Sequence, residues 1–360
     1  MLVYLSRSGD FVRTHEGRAL LSVAASIARL KRAGEVRIWS EALHRPGGMY
    51  LVPSRTLMTD EAERLGIRSP SDLFGGVVPH PFVRTKAITH ALVDDGAARP
   101  RGWSQAFAAR VRDVVLPGYT VFTARDAALA LGRLLEQGPR AKRTLAAGGQ
   151  DQWPVRAAAE LDRVLERIPD DELAQYGLLL ETNLTDVTTL SIGQVVLDDT
   201  TMSYCGTQRL TTDNEGQATY GGSDLMCARG GWSALDRLPL PAPVRHAVAQ
   251  ARVYDEATAE YEGFMASRRN YDVGQGLDSA GRWRSGVLEA SWRVGGATGA
   301  EVGALGAFIA DPSLDRVHAA SVVEFGRTAE PAADALVHFR GEDPRRGPMV
   351  QYTVVSPAPA

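Results

Sequence analysis

Residues 270–305 constrain the fold more than any other stretch: they read NYDVGQGLDSAGRWRSGVLEASWRVGGATGAEVGAL. Two short apolar runs, 271–277 and 286–290, flank Asp278-Ser279-Ala280-Gly281, which has the composition of a hairpin turn. The first run carries Asp272 and the second ends on Glu289. Pairing such strands brings two carboxylates to one end of a sheet, where acidic oxygens can hold a hard cation. Arg293, then Gly295-Gly296, then an apolar helix-like run over 297–309 follow directly. An acid pair, an arginine and a glycine turn this close together suit a magnesium–phosphate site. They also suit a plain solvated hairpin, so the rest of the chain has to decide.

At 360 residues the chain is long enough for two or three domains with sizeable cores. A net charge of −3 gives no reason to expect nucleic acid or an anionic membrane as the main partner. Only Cys205 and Cys227 are cysteines and no CxxC pair occurs, so a disulfide framework or zinc site is not expected, which fits a cytoplasmic protein. The opening MLVYLSRSGDFVRTHEG lacks the long apolar core of a secretory signal, and no run approaches membrane-spanning length. Of the 40 basic residues only Lys31, Lys86 and Lys142 are lysine. In a chain that uses arginine wherever a cation will do, a retained lysine marks a place for a compact ammonium on a flexible stem. Lys31 closes a helix and carries no such argument; Lys86 and Lys142 are candidates, with chance retention as the alternative.

In chain order, a strand near 2–5, a helix over 16–33 and a strand near 36–39 form a small α/β layer. His15 and Glu16 lie where strand hands over to helix, a common place for ligand contacts, although capping serves as well. Lys86 opens a helix in the stretch GGVVPHPFVRTKAITHALVD, and His90 lies one turn on. Lys142 stands on a strand before the glycine-rich AAGGQDQ, where backbone N–H groups can approach a phosphate. An apolar strand over 176–180 ends in Glu181. A β-meander over 188–221 and one long helix over 243–265 lead into the acidic hairpin.

Taken together, this order resembles the ATP-grasp superfamily. The wording YGGSDL, GVVPHPF and TKAITH is similar to an uncharacterised bacterial family, known only as a domain of unknown function, associated with that superfamily. The resemblance covers roughly residues 80 to 310. It implies an α+β fold in which two α+β subdomains grip a nucleotide. A pre-grasp α/β domain would occupy 1–85, the ATP-grasp domain 86–310 with a lid at about 115–180, and a C-terminal extension 311–360.

The resemblance also implies roles. Lys86 and Lys142 match the two lysines on the ATP phosphates, and Gly148 and Gly149 the loop that closes over them. Glu181 matches the acid at the hinge beside adenine, with a backbone contact from Leu184. Asp186 is nearest to the ribose-binding acid. Asp272 and Glu289 match the magnesium ligands, with Asp278 as the alternative first ligand. Ser291, where the superfamily commonly has an asparagine, is the third metal candidate, its hydroxyl a weaker ligand. Arg293, and more loosely Arg269, match the arginine facing the transferred phosphate or substrate carboxylate. The implied activity is an ATP- and magnesium-dependent ligase. It would activate a small-molecule carboxylate as an acyl phosphate for attack by an amine or similar nucleophile. A non-catalytic nucleotide-binding protein and a small-molecule kinase are the alternatives.

Overall fold

Thr14 starts the first helix: its hydroxyl accepts a hydrogen bond from the Gly17 amide and so satisfies one of the free donors of the first turn. The computed structural model describes residues 1–5, 9–43, 48–146 and 148–357. In it that helix, α1 (His15–Leu30), buries Leu20, Val23, Ala24 and Ile27 along one side. The stripe packs with Val3 and Val52 of a parallel sheet, β1 (Leu2–Tyr4), β2 (Arg37–Ile38) and β3 (Leu51–Pro53), ordered β2-β1-β3. Then β4 (Leu57–Met58), α2 (Thr59–Arg64) and β5 (Gly76–Val78) follow.

Lys86–Thr89 is a single 3-10 turn rather than the opening of a longer helix. All four of its residues are buried, so the segment crosses the core and has no solvent face for an amphipathic helix to present. After α3 (Gln105–Val111) the chain forms β6 (Gly118–Val121), α4 (Ala124–Leu134), β7 (Pro139–Arg143), β8 (Gln152–Pro154), α5 (Ala158–Leu165), α6 (Asp170–Tyr176) and β9 (Leu178–Thr182). The four strands pair antiparallel in the order β6-β9-β7-β8. Their apolar face and helices share a core of their own, including Val121, Ala127, Leu131, Leu161 and Leu180.

The largest sheet begins with the meander β10 (Thr185–Leu197), β11 (Thr200–Thr212) and β12 (Ala218–Arg229). Next comes α7 (Ala242–Ala257), shorter than the helix expected over 243–265, because the chain passes through a 3-10 turn and a left-handed Gly263 before β13 (Met265–Ala266) returns to pair with β5. The hairpin β14 (Arg268–Leu277) and β15 (Trp283–Ser291), then α8 (Thr298–Ala310), β16 (Arg316–Phe325), β17 (Leu336–Asp343) and β18 (Gly347–Pro357), complete the fold. The strand order is β15-β14-β10-β11-β12-β16-β18-β17. Within the expected extension, residues 316–357 supply three strands of this sheet, and Val317, Ala319 and Val355 join the apolar core.

One face of the eight-stranded sheet packs against α7 through Ile192, Tyr271, Val273 and Tyr254. The other packs against α8 and α1 through Val195, Tyr204, Leu305 and Phe308. Cys205 lies in the first core and Cys227 in the second, and both are free thiols. Among the described residues no helix is long and apolar enough to cross a membrane. The edge strand β17 clasps α1. Asp343 Oδ2 accepts from the His15 amide at 2.7 Å and lies 2.9 Å from its Nδ1, while His338 sits 2.9 Å from both Ser22 Oγ and Thr353 Oγ1. His15 therefore serves to dock the helix.

Candidate active site

The hairpin places Asp272 directly opposite Glu289. The register then slips, so that Leu288 is an extra residue between the pairs Asp272–Glu289 and Val273–Val287. Such a bulge re-aims the side chains beside it. Burial and then the facing Glu289 push the Asp272 carboxyl up to about 6, against hydrogen bonds from Asn270 Nδ2 at 2.9 Å and Ser191 Oγ at 3.2 Å. Glu289 behaves differently. Burial would raise it, but Lys86, whose Nζ is 3.0 Å away, holds it low with help from Lys142 and Arg293. Two carboxylates forced this close are relieved by a divalent cation, so the residues present fit one. Among the described residues no group of three or more His, Cys, Asp and Glu forms a metal cage. A cation here would have two carboxylates to bind, a donor set that suits magnesium.

Lys86, 6% exposed, also donates to the Ala146 carbonyl at 2.9 Å, which ties it to the start of the glycine loop. Gly148 and Gly149 in that loop have φ of 65° and 80°, a region glycine enters without steric cost. Both are exposed, and Ala147 lies outside the described residues. Lys142 projects from β7 into an ion pair with Glu181 of β9. His90 Nε2 completes the group at 2.7 Å from Glu181 Oε2. Burial alone would raise this carboxyl, but Lys142 and His90 hold it down to about 2. After Glu181 the chain leaves the small sheet for β10. Leu184 there is half-buried beside Gly276 of β14, and Asp186 is exposed with left-handed backbone at a bulge.

Not every expected residue meets the others. Arg293 does: burial and Arg268 lower its pKa, while Glu289, Glu16 and Asp272 act in the opposite direction. Arg269 does not. Alternation along β14 turns it to the α7 face, with Nε 3.4 Å from Asp255 Oδ1. Asp278 is consumed by its own turn, accepting from the amides of Ala280 and Arg282 and from the side chains of Arg282 and Arg284. That corrects its use as a first metal ligand. The Ser291 hydroxyl lies 3.4 Å from Arg268 Nη1, a guanidinium that repels a cation.

Sequence reasoning missed a buried row behind the acids. Arg268 pairs bidentately with Glu301 of α8, Nε to Oε2 at 2.9 Å and Nη2 to Oε1 at 2.6 Å. Tyr204 links Glu301 to Asn270, and Asn270 links Tyr204 to Asp272. The signal was present: positions 268, 270 and 272 share one face of a strand.

The sequence profile of a family described as a protein of unknown function (DUF3182) matches residues 3–353. Among curated proteins no sequence match is found. In three dimensions the chain is similar to carboxyaminoimidazole ribonucleotide synthase from Aspergillus clavatus complexed with ATP, at 13% identity and TM-score 0.53, over 99% of this chain and 94% of that one. It is similar to an ADP complex of N5-carboxyaminoimidazole ribonucleotide synthetase at 11% identity and TM-score 0.53, over 99% and 92%. Phosphoribosylamine–glycine ligase from Thermotoga maritima matches at 14% identity and TM-score 0.55, over 99% and 93%. These are ATP-grasp proteins, and the chain has their fold. Identities this low speak for the fold alone.

Proposed function

We propose, for a chain that belongs to the DUF3182 family and has the ATP-grasp fold, an ATP-dependent ligase that joins a small-molecule carboxylate to an amine or similar nucleophile. The observation that carries this reading is the convergence on Glu289: Lys86, Lys142 and Arg293 all act on its charge, and Asp272 faces it. Cations on three sides of an acid pair suit a polyphosphate bound through a divalent metal. Asp272 and Glu289 would hold that metal, which supplies charge neutralisation across the phosphates.

The remaining work falls to the chain. Lys86, already bridging Glu289 and the glycine loop, binds phosphate oxygens where those two meet. Lys142 does so from β7, its Nζ steered by Glu181 and His90. Gly148 and Gly149 let backbone amides approach the phosphates and exclude water. Arg293 faces the carboxylate that attacks. In the first step a carboxylate oxygen bonds to the γ-phosphorus and ADP leaves, giving an acyl phosphate. In the second the amine nitrogen bonds to the acyl carbon and phosphate leaves. Positioning and charge neutralisation suffice for both steps, and no side chain needs to act as a nucleophile.

The thermal midpoint tests the nucleotide site, because a ligand that binds only the folded state must raise it. ATP with magnesium should raise the midpoint of the wild type and not of Lys142→Ala. Glu289→Gln should lose only the metal-dependent part. No shift in the wild type at millimolar ligand would sink the reading. Ser291 in place of the common asparagine favours a second reading, a nucleotide-binding protein without turnover. ADP release with hydroxylamine capture of an acyl phosphate, assayed over a panel of carboxylates, separates the ligase from that reading and from a kinase acting on a hydroxyl.

A further inference from the structure

The buried row behind Asp272 is one proton short. Tyr204, fully buried, has Glu301 Oε1 at 2.7 Å and Asn270 Oδ1 at 2.9 Å, with the Arg269 carbonyl at 3.4 Å. A phenol carries a single proton. Both oxygens of Glu301 accept from the two arms of Arg268, so towards Tyr204 it is an acceptor. If the Tyr204 proton goes to Glu301, the Asn270 carbonyl meets the phenol oxygen with no hydrogen between them.

Turning the Asn270 amide by half a turn repairs that contact, because its NH2 then donates to the Tyr204 oxygen. The two ends of the amide differ only in where the hydrogens sit. But the turn removes the donor from Asp272 Oδ1, 2.9 Å away, and puts the amide oxygen there instead. Each orientation leaves one pair of acceptors facing each other. A cation shared by Asp272 and the turned amide removes the conflict. It takes both oxygens, the NH2 donates to Tyr204, and Tyr204 donates to Glu301.

We infer that Asn270 supplies an amide oxygen to the metal site beside Asp272. Asn270 and Ser291 are cross-strand partners, so the amide reaches the same end of the hairpin from the opposite strand. Ser291 does not compete for that role, since its hydroxyl and its carbonyl, 3.0 Å from Arg268 Nη1, both face the guanidinium. Tyr204 is a positioning residue: it sets which end of the amide faces Asp272. This inference rests on the metal site proposed above and assigns its third protein ligand.

The test is Mn2+ binding to the full chain, read from the free-ion electron paramagnetic resonance signal with and without ATP. Asn270→Ser should weaken Mn2+ binding about tenfold or more, and Tyr204→Phe by a smaller factor, as expected for a ligand and for its support. Ser291→Ala should leave it unchanged. Equal Mn2+ affinity in wild type, Asn270→Ser and Tyr204→Phe overturns the inference, as does a loss seen in Ser291→Ala. If Asn270→Ser does not fold, Tyr204→Phe alone decides, because a merely structural tyrosine leaves Mn2+ affinity unmoved. Failure of the underlying reading looks different: the wild type then binds no Mn2+, whereas binding that Glu289→Gln abolishes and Asn270→Ser keeps rejects the role of Asn270 alone.

Discussion

Two carboxylates of the chain have been pushed in opposite directions. Glu181, 2% exposed, sits between Lys142 and His90 and falls to about 2. Asp272 faces another carboxylate and rises to about 6. The acid on β9 has its counter-charges within the chain; the acid on the hairpin does not. Under the proposed reading a nucleotide would meet a neutralised wall on one side and an acid pair on the other, and would compete for Lys86 and Lys142, which already hold acids of the chain itself.

The contrast can be broken most forcefully at the hinge. Glu181→Ala leaves Lys142 buried without its partner, and losing one member of such a pair costs about 3–5 kcal/mol. Urea unfolding should register that loss, and an unchanged midpoint would mean that the hinge is not self-contained. Lys86→Ala comes next: ATP-dependent turnover should drop roughly a hundredfold, since removing one preorganised charge partner costs on that scale. Steady-state ADP release measures it. At the hairpin the sign reverses. Asp272→Asn removes a repulsion, so the ligand-free protein should gain about 1 kcal/mol while losing its metal-dependent thermal shift. Destabilisation by Asp272→Asn without metal would mean that the acid pair is not in conflict.

The contrast also shows in the acid limb. Glu181 has a folded pKa of about 2 against an ordinary 4.5, so its contribution is present above pH 4.5 and lost as pH falls from there towards 2. Burial holds His338 at about 4 against 6.5, and it stays neutral in the fold. The unfolded chain binds that proton first, so stability falls between pH 6.5 and 4. Stability curves from pH 7 to 3 should show both limbs, with His338→Gln flattening the upper and Glu181→Gln the lower.

How much of this was legible in the sequence depended on range. The acid hairpin could be read because its turn and alternation are local. Lys86 and Lys142 stood out because arginine surrounds them in composition. The parity of β14 was equally local, yet Arg269 was singled out when 268, 270 and 272 share the face; counting in twos from Asp272 would have found Asn270. Asp278 could also have been set aside, since an aspartate opening a turn commonly accepts from amides two and four residues on. A last strand over 349–355 could be read, but its place in the sheet could not: β16 joins β12 across about a hundred residues, and an alanine- and proline-rich link at 330–335 separates β16 from β17. Nor could the Lys86 turn be read, since its shape follows from burial on all sides.

The clasp of β17 on α1 has a consequence for synthesis. His15 waits for Asp343, 328 residues later, and Ser22 for His338, 316 residues later. At roughly 5–20 residues per second, the ribosome needs on the order of tens of seconds to deliver those partners. During that interval the first helix has the strands of its own layer, through Val3 and Val52, but lacks the polar clasp of β17. A newly made chain can therefore begin its small antiparallel sheet early, while its first layer becomes fast only after translation has almost run its course.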